Sequence, residues 1–508
     1  MTTRYITSPI YYLNAEPHLG HVYTTVAADV LARYWRLAGA KVKFLTGTDE
    51  HGQKVVQAAA AAGESPKDYT DKLSKRFFEM CRKINASEDV FIRTTETRHH
   101  EAVKALWKRL EETGQIYKSS YKGWYAVRDE AYYEESEIVD GKAPTGAPVE
   151  WMEEASYFFK LSAWERPLLD YYEANPRAIA PIGRRNEVLS FIKSGLRDLS
   201  ISRTKFSWGI AVPSDPEHVM YVWIDALTNY ITALGYPNVE GEEFQAFWPE
   251  SIHLLGKDIL RFHAVYWPAF LMAAGLTPPH RIFAHGWWTY DGEKMSKSLG
   301  NVVNPFELID TFGLDPVRYF LMREIPFGQD GNYSDAAMTQ RLNSDLANDL
   351  GNLVQRVLSF IYKNAGAKIP EAGELLGEDR EILAKAATLH EVLREDMDNQ
   401  ALQAYCQHIW EVIGEANRYV DAQRPWSLKK SEDPKDIARM GTVLYVLAEV
   451  IRHVAIYVQP LMPDSASKIL DQLGQTERTF EGLQTPLKSG TPLTEPQGLF
   501  PRREALTN

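Results

Sequence analysis

Two histidines three positions apart, His18 and His21, enclose Leu19-Gly20 directly after Pro17. If a helix begins there, its first backbone N–H groups and the positive end of its dipole attract phosphate. Gly20 carries no side chain, so a flat base can pack against the backbone. Both imidazoles, placed in one helical turn, can donate hydrogen bonds to a single phosphate chain. The same residues would also suit a core histidine pair or two ligands of a metal, although no further ligand stands nearby at useful spacing. A second group, Lys294-Met295-Ser296-Lys297-Ser298, follows the turn Asp291-Gly292-Glu293. Its lysines can neutralise a polyphosphate leaving group and its serines can position one. Taken alone, it has the composition of a solvated charged loop.

The elements that must hold these residues follow from periodicity. Arg4–Ile10 reads as a short strand. From Leu19, apolar residues recur at helical spacing (Val22, Val26, Ala27, Val30, Leu31, Tyr34), and Gly39 stands where a C-terminal glycine belongs. Lys41–Leu45 is a second strand running into Thr46-Gly47-Thr48-Asp49. Strand, helix, strand is a βαβ unit and implies a parallel sheet. Ligands bind at the carboxyl ends of such strands, where Tyr12 to His21 and Thr46 to Gly52 both lie. A further helix is expected around Ala102–Leu110. Tyr117–Phe159 is rich in Tyr, Gly, Pro and Glu and reads as hairpins within an insertion. Parallel α/β character returns with three apolar runs read as strands: Tyr221–Ile224, Ile252–Leu255 and Arg281–Ala284. From about Ser334 to residue 480 the pattern is that of a helical bundle.

Composition sets the bounds. A chain of 508 residues exceeds one core, and 44% hydrophobic with 24% charged residues is ordinary globular usage. Two cysteines, Cys81 and Cys406, exclude a disulfide framework and a thiolate-rich zinc site, and point to a reducing, cytoplasmic setting. The opening Met-Thr-Thr-Arg-Tyr has no basic, apolar leader pattern, so no secretory signal is expected. Glu449, Arg452 and His453 interrupt the greasiest stretch, Val443–Met462, which therefore reads as a buried bundle helix with no membrane partner. A net charge of −12 argues against a broad basic surface for nucleic acid.

Together, His18-Leu19-Gly20-His21 and Lys294-Met295-Ser296-Lys297-Ser298 resemble the signature of class I aminoacyl-tRNA synthetases. Within the class, Ile10 to His21, Gly47-Thr48-Asp49-Glu50-His51-Gly52, Trp223-Ile224-Asp225-Ala226 and Gly256 to His263 are most similar to the methionyl family. The likeness runs from about Tyr5 to Trp426. It implies a Rossmann-like α/β catalytic domain with a parallel sheet and an inserted connective domain, followed by an all-α anticodon-binding bundle. The expected divisions are residues 1–115 and 211–290 for the two catalytic halves, 116–210 for the insertion, 291–340 for the lysine loop and stem-contact region, and 341–508 for the bundle and tail.

The same resemblance implies the chemistry. The carboxylate of L-methionine attacks the α-phosphorus of ATP, supplied with Mg²⁺, and the aminoacyl group then passes to the 3′-terminal adenosine of tRNA(Met). His18, His21, Lys294 and Lys297 would serve the phosphates, and Asn14, Gly20, Gly256, Asp258 and Trp288 the rest of ATP. Asp49 would pair with the substrate ammonium. Asp258 would serve the ribose or the ammonium, and the sequence leaves both open. Ile10, Tyr12, Trp223, Ala226, Tyr230, Ile259 and His263 would line the methionine pocket, where a thioether gains from aromatic contact; each would look as natural in a core. Asn352 and Arg356, four apart on one helix face, and Pro425-Trp426 would read the CAU anticodon. Residues 341–508 hold 19 Lys and Arg against 24 Asp and Glu, a net of −5, so tRNA affinity must come from a few placed contacts.

One departure from the family stands out. Many members carry a cysteine knuckle for zinc in the insertion, and here no cysteine lies between Cys81 and Cys406. No structural zinc is expected, and hairpins with aromatic packing must hold the insertion together. The protein is expected to be a monomer. A small nucleotidyltransferase would share the histidine pair but needs neither the bundle nor the lysine loop. A synthetase-derived regulatory protein would show decay at His18, His21 or Lys297, and none is visible.

Overall fold

The computed structural model describes residues 2–129, 131–290, 292–294 and 303–504. The chain divides into two compact units. One comprises Thr3–Ala28 and Val42–His285; the other holds Asp29–Lys41 and Gly286–Asn508.

The first unit is built on a six-stranded sheet of order β3-β2-β1-β12-β13-β7. In chain order its strands are β1 (Thr3–Tyr12), β2 (Lys41–Asp49), β3 (Val90–Arg93), β7 (Ile179–Ala180), β12 (Ser251–Gly256) and β13 (Arg281–His285). The pairs β1 with β12, β12 with β13, β13 with β7 and β2 with β3 are parallel. Tyr5 to Tyr11 of β1 are all buried, as a central strand covered on both faces requires. The helix Leu19–Leu37 follows β1, and Gly39 just beyond its end sits at φ +78°, a conformation costly for a residue with a Cβ. The chain runs from β1 outward to β2 and β3, then returns to place β12 and β13 on the other side of β1. This reversal between β1 and β12 is a topological switch point, where parallel sheets open a crevice.

The insertion forms a separate antiparallel sheet of order β5-β4-β6-β8, with β4 (Ile116–Ala126), β5 (Ala131–Tyr133), β6 (Glu150–Phe159) and β8 (Leu199–Ser200). Aromatic rings do pack across it: Tyr117 on Phe158, Tyr125 on Tyr132 and Trp124 on Trp151, with centroids 4.8–5.6 Å apart. A small three-stranded sheet, β10-β11-β9, joins β9 (Ser202–Arg203), β10 (Ala211–Val212) and β11 (Asp215–Met220).

Two sequence expectations change. The run Tyr221–Ile224 is not a strand but the start of the helix Val222–Thr232, with Ile224 to Thr232 all buried. A short apolar run bounded by polar residues fits a buried strand and a buried helix equally, and its β-branched residues favoured the wrong one. The insertion also does not run unbroken to 210, because β7 returns to the parallel sheet beside β13. Two residues are too few to show a strand period.

In the second unit, β14 (Trp288–Tyr290) pairs with β15 (Glu293–Lys294) and β16 (Gly331–Tyr333). The helices Pro305–Phe312 and Leu314–Arg323 precede β16, and after it a continuous helical stretch runs from Asp335 to Asn364, widened to π pitch over Leu342–Gly351. The helices Gly377–Asp398, Leu402–Gln423, Pro434–Val458 and Pro463–Gln472 complete the bundle. Pro434–Val458 is long and apolar enough to cross a membrane, but 89% of its apolar window is buried inside the protein. Its Glu449 and Arg452 pair at 2.6 Å within that core, as buried charges must.

Candidate active site

The carboxyl ends of β1, β2 and β12 carry most of the residues singled out from the sequence. After β1, the helix Leu19–Leu37 opens with the histidine pair, whose rings lie 3.8 Å apart. The backbone N–H of Gly20 donates to Nδ1 of His18 at 3.1 Å, and that of His18 donates to Nδ1 of His21 at 3.1 Å. Each Nδ1 therefore holds a lone pair, which leaves the proton of each neutral ring on Nε2. Burial, and then the neighbouring His18, push His21 well below the ordinary histidine range, so it stays neutral at physiological pH. Its ring is held edge-on by Tyr11 at 4.7 Å and Phe77 at 5.0 Å. A Cβ on Gly20 would stand 2.9 Å from Cε1 of His18, so glycine there sets the position of that ring.

At the end of β2, Asp49 is buried, and its carbonyl accepts from the Leu13 N–H at 3.1 Å. Glu50 beside it accepts from Arg93 at 2.7 and 3.0 Å, from Thr48 at 2.8 Å and from Thr95 at 2.6 Å. The Glu50 carbonyl takes the Trp208 indole N–H at 2.6 Å, and the Trp208 carbonyl takes the Gly52 N–H at 3.2 Å.

The helix Val222–Thr232 places Ala226 and Tyr230 in the main apolar core with Ile10 of β1, and Tyr12, Trp223 and Ile259 pack against it half-buried; His263, after β12, is buried beside Tyr230. The Tyr230 hydroxyl and Nε2 of His263 are 2.7 Å apart, and Nδ1 of His263 lies 2.9 Å from the Ile259 carbonyl. A carbonyl only accepts, so Nδ1 carries the proton and Nε2 accepts from Tyr230. Burial lowers His263 to about 4, against the opposing pull of the Ile259 carbonyl and Asp258. A neutral, fully bonded imidazole beside aromatic rings is an apolar wall with a fixed edge. Such a surface suits an uncharged, polarizable side chain.

Gly256 ends β12. A Cβ there would lie 2.7 Å from Oδ1 of Asp258 and 3.7 Å from Cε1 of His285. Asp258 itself is exposed. His285, at the end of β13, meets Thr24 of the first helix at 2.7 Å. Asn14 is exposed on the loop after β1.

Other expected residues are not gathered here. Trp288 belongs to the second unit, where its ring packs at 5.6 Å against Phe320. Lys294 closes β15, and Met295, Ser296, Lys297 and Ser298 lie outside the described residues. Asn352 and Arg356 share the helix Asn352–Asn364, with Asn352 exposed. Arg356 pairs with Asp421 at 2.8 Å and lies 5.6 Å from the Trp426 ring centre. Pro425 is buried at the start of the short helix Pro425–Leu428, and Trp426 is half-buried.

Sequence reasoning missed three participants. Phe262 stacks on Trp223, and His51 and Asp225 meet at 2.7 Å. All three sit inside the motifs that carried the family resemblance, so their position was legible while their pairing was not.

A family model described as class I tRNA synthetases (M) matches residues 4–148 and 145–358, and one for the anticodon binding domain of methionyl tRNA ligase matches 369–505. A methionine–tRNA ligase of Brucella suis biovar 1 is 55% identical over 506 residues, covering 98% of this chain and 97% of that protein. One from Mycobacterium bovis is 53% identical over 509 residues, covering 99% and 98%. The solved Mycobacterium tuberculosis methionyl-tRNA synthetase in complex with methionyl-adenylate superposes with a TM-score of 0.97 at 53% identity, covering 99% of this chain and all of that one.

Proposed function

Since the chain belongs to the class I methionyl-tRNA synthetases, it activates L-methionine with ATP and charges tRNA, and we propose which side chains carry each step. The methionine carboxylate attacks the α-phosphorus of ATP, forming methionyl-adenylate and releasing pyrophosphate. The adenylate is then attacked by a hydroxyl of the 3′-terminal adenosine of tRNA, which releases AMP. Neither step needs a protein nucleophile, so the protein contributes position and charge.

His18 and His21 donate their Nε2–H groups to the phosphates at the N-terminus of the helix Leu19–Leu37, whose dipole adds to them. The observation that supports this most is the pair of backbone bonds to Nδ1, which present both rings as donors without a proton having to move. Lys294 and Lys297 add positive charge to the departing pyrophosphate. ATP is taken as its Mg²⁺ complex, the ion supplying further charge neutralisation. Among the described residues no group of three or more His, Cys, Asp or Glu could hold a metal, so the Mg²⁺ would arrive with ATP. Asn14, Gly20, Gly256, Asp258 and Trp288 serve the nucleoside, Gly256 by giving the Asp258 carboxylate the room that a Cβ would take.

Asp49 pairs with the ammonium. Ile10, Tyr12, Trp223, Ala226, Tyr230, Ile259 and His263 receive the thioether. In the bundle, Asn352, Arg356, Pro425 and Trp426 read the CAU anticodon, the indole by stacking on an unpaired base. The protein works as a cytoplasmic monomer, with its catalytic parts in residues 1–115 and 211–290 and in β7 (Ile179–Ala180), the rest of 116–210 forming the insertion, and the anticodon domain in 341–508. ATP–pyrophosphate exchange with each amino acid supplied in turn tests the reading. Methionine alone should support exchange, without tRNA. Exchange with leucine or cysteine instead would overturn it.

A further inference from the structure

A buried carboxylate outside the residues assigned above joins the two halves of the amino-acid site. Asp225 is 1% exposed, on the helix Val222–Thr232 that carries Trp223, Ala226 and Tyr230. Its Oδ2 accepts from Nδ1 of His51 at 2.7 Å, and its Oδ1 accepts from Nε2 of His99 at 2.8 Å. His51 is two residues from Asp49 on the turn after β2. His99, fully buried on the helix Thr97–Glu112, also meets Thr232 at 3.1 Å, one end of the pocket helix. Burial alone would raise the Asp225 carboxyl, but His51 and His99 overcome it and hold the group ionised.

A buried ionic network of this kind is a poor way to gain stability, because well-packed apolar residues of the same volume do as well or better. What it supplies is direction. Two oxygens of one carboxylate fix two imidazoles in plane and register, and one of these belongs to the turn that presents Asp49. The opposite face of the helix presents the pocket. We infer that Asp225 is a positioning residue for methionine recognition: through His51 it sets where the Asp49 carboxylate stands relative to the side-chain pocket. This rests on the reading in which Asp49 pairs with the substrate ammonium.

The test uses pyrophosphate exchange by the full chain and binding of two substrate fragments. Methioninol keeps the ammonium and the thioether but lacks the carboxylate; 4-methylthiobutanoate lacks only the ammonium. Asp225→Asn should raise the KM for methionine about tenfold or more, the scale of one lost charged hydrogen bond, and leave the KM for ATP within about twofold. Methioninol should weaken by the same factor, while inhibition by 4-methylthiobutanoate stays unchanged. His51→Ala should match it, and the double variant should be no worse than either single one, because the residues act as a pair. His51→Gln, which retains an N–H donor, should recover part of the loss. If Asp225→Asn gives no folded protein, His51→Ala and His51→Gln carry the same test. Two results would overturn the inference: an unchanged methionine KM with only a lower active fraction, or equal weakening of both fragments. Absence of methionine-dependent exchange in the unaltered protein would instead sink the reading of Asp49 itself.

Discussion

The indole of Trp223 lies flat on the ring of Phe262, with centroids 3.8 Å apart and planes within 8° of each other. His263, the next residue after Phe262, meets the same indole edge-on at 6.0 Å. The wall of the proposed pocket is thus held by a stack between the helix Val222–Thr232 and the helical segment Phe262–Tyr266. Phe262→Leu keeps the apolar volume but removes the stack, worth about 0.5–1.5 kcal/mol. The expected result is a rise of about three- to tenfold in the KM for methionine with the ATP KM unchanged, read by pyrophosphate exchange.

Gly20→Ala should separate stability from activity. Alanine is the better helix former by about 1 kcal/mol, so the melting temperature should not fall. Its Cβ would press on the His18 ring at 2.9 Å, however, and move the proposed phosphate donor. Removing one such donor typically costs about a hundred- to thousandfold in rate. The expectation is at least a tenfold lower kcat for exchange in a protein that melts no earlier.

His263 gives a pH signature. Burial lowers it to about 4 in the folded protein, against about 6.5 when exposed. Between these values the unfolded chain binds the extra proton, so stability is complete above about pH 6.5 and falls as pH drops toward 4. The limit is about 3 kcal/mol. Denaturant titrations from pH 7 to 4 should show a steeper loss for the unaltered protein than for His263→Gln, which cannot titrate. Equal slopes would remove His263 from the groups that stay neutral.

Trp426→Ala addresses the other end of the reaction. The ring is half-buried, with the Arg356 guanidinium 5.6 Å from its centre, and its proposed role is to stack on a base. Losing one such stack costs about 1–3 kcal/mol. Charging of tRNA(Met) should fall about ten- to a hundredfold, and methionyl-adenylate formation should hold. A destabilised protein that charges normally below its melting point would place Trp426 in the core alone.

Metal analysis of the purified protein should return no stoichiometric zinc, and chelators should leave the melting temperature unchanged, because the insertion offers no cysteine ligand. About one zinc per chain would demand a different ligand set.

The sequence determined this protein's chemistry more firmly than its shape. His18, Gly20 and His21 could be read as a phosphate site because a helix N-terminus is a local object, and local spacing dictates it. The helix Leu19–Leu37 followed from its apolar period, and strands β1 and β2 from short β-prone runs. The strand assignment of Tyr221–Ile224 failed because four apolar residues carry no period. Ile179–Ala180 stayed hidden because two residues paired into a distant strand leave no pattern at all. The pairings that organise the site were beyond reach for the same reason. Asp225 with His51 and His99, Trp223 with Phe262, and Thr24 with His285 each join residues far apart in the chain or on different elements. Only the packing of helices onto one sheet decides which side chains meet. A side chain's type fixes what it can bond to, whereas its partner is set by the distances and buried surroundings that folding creates.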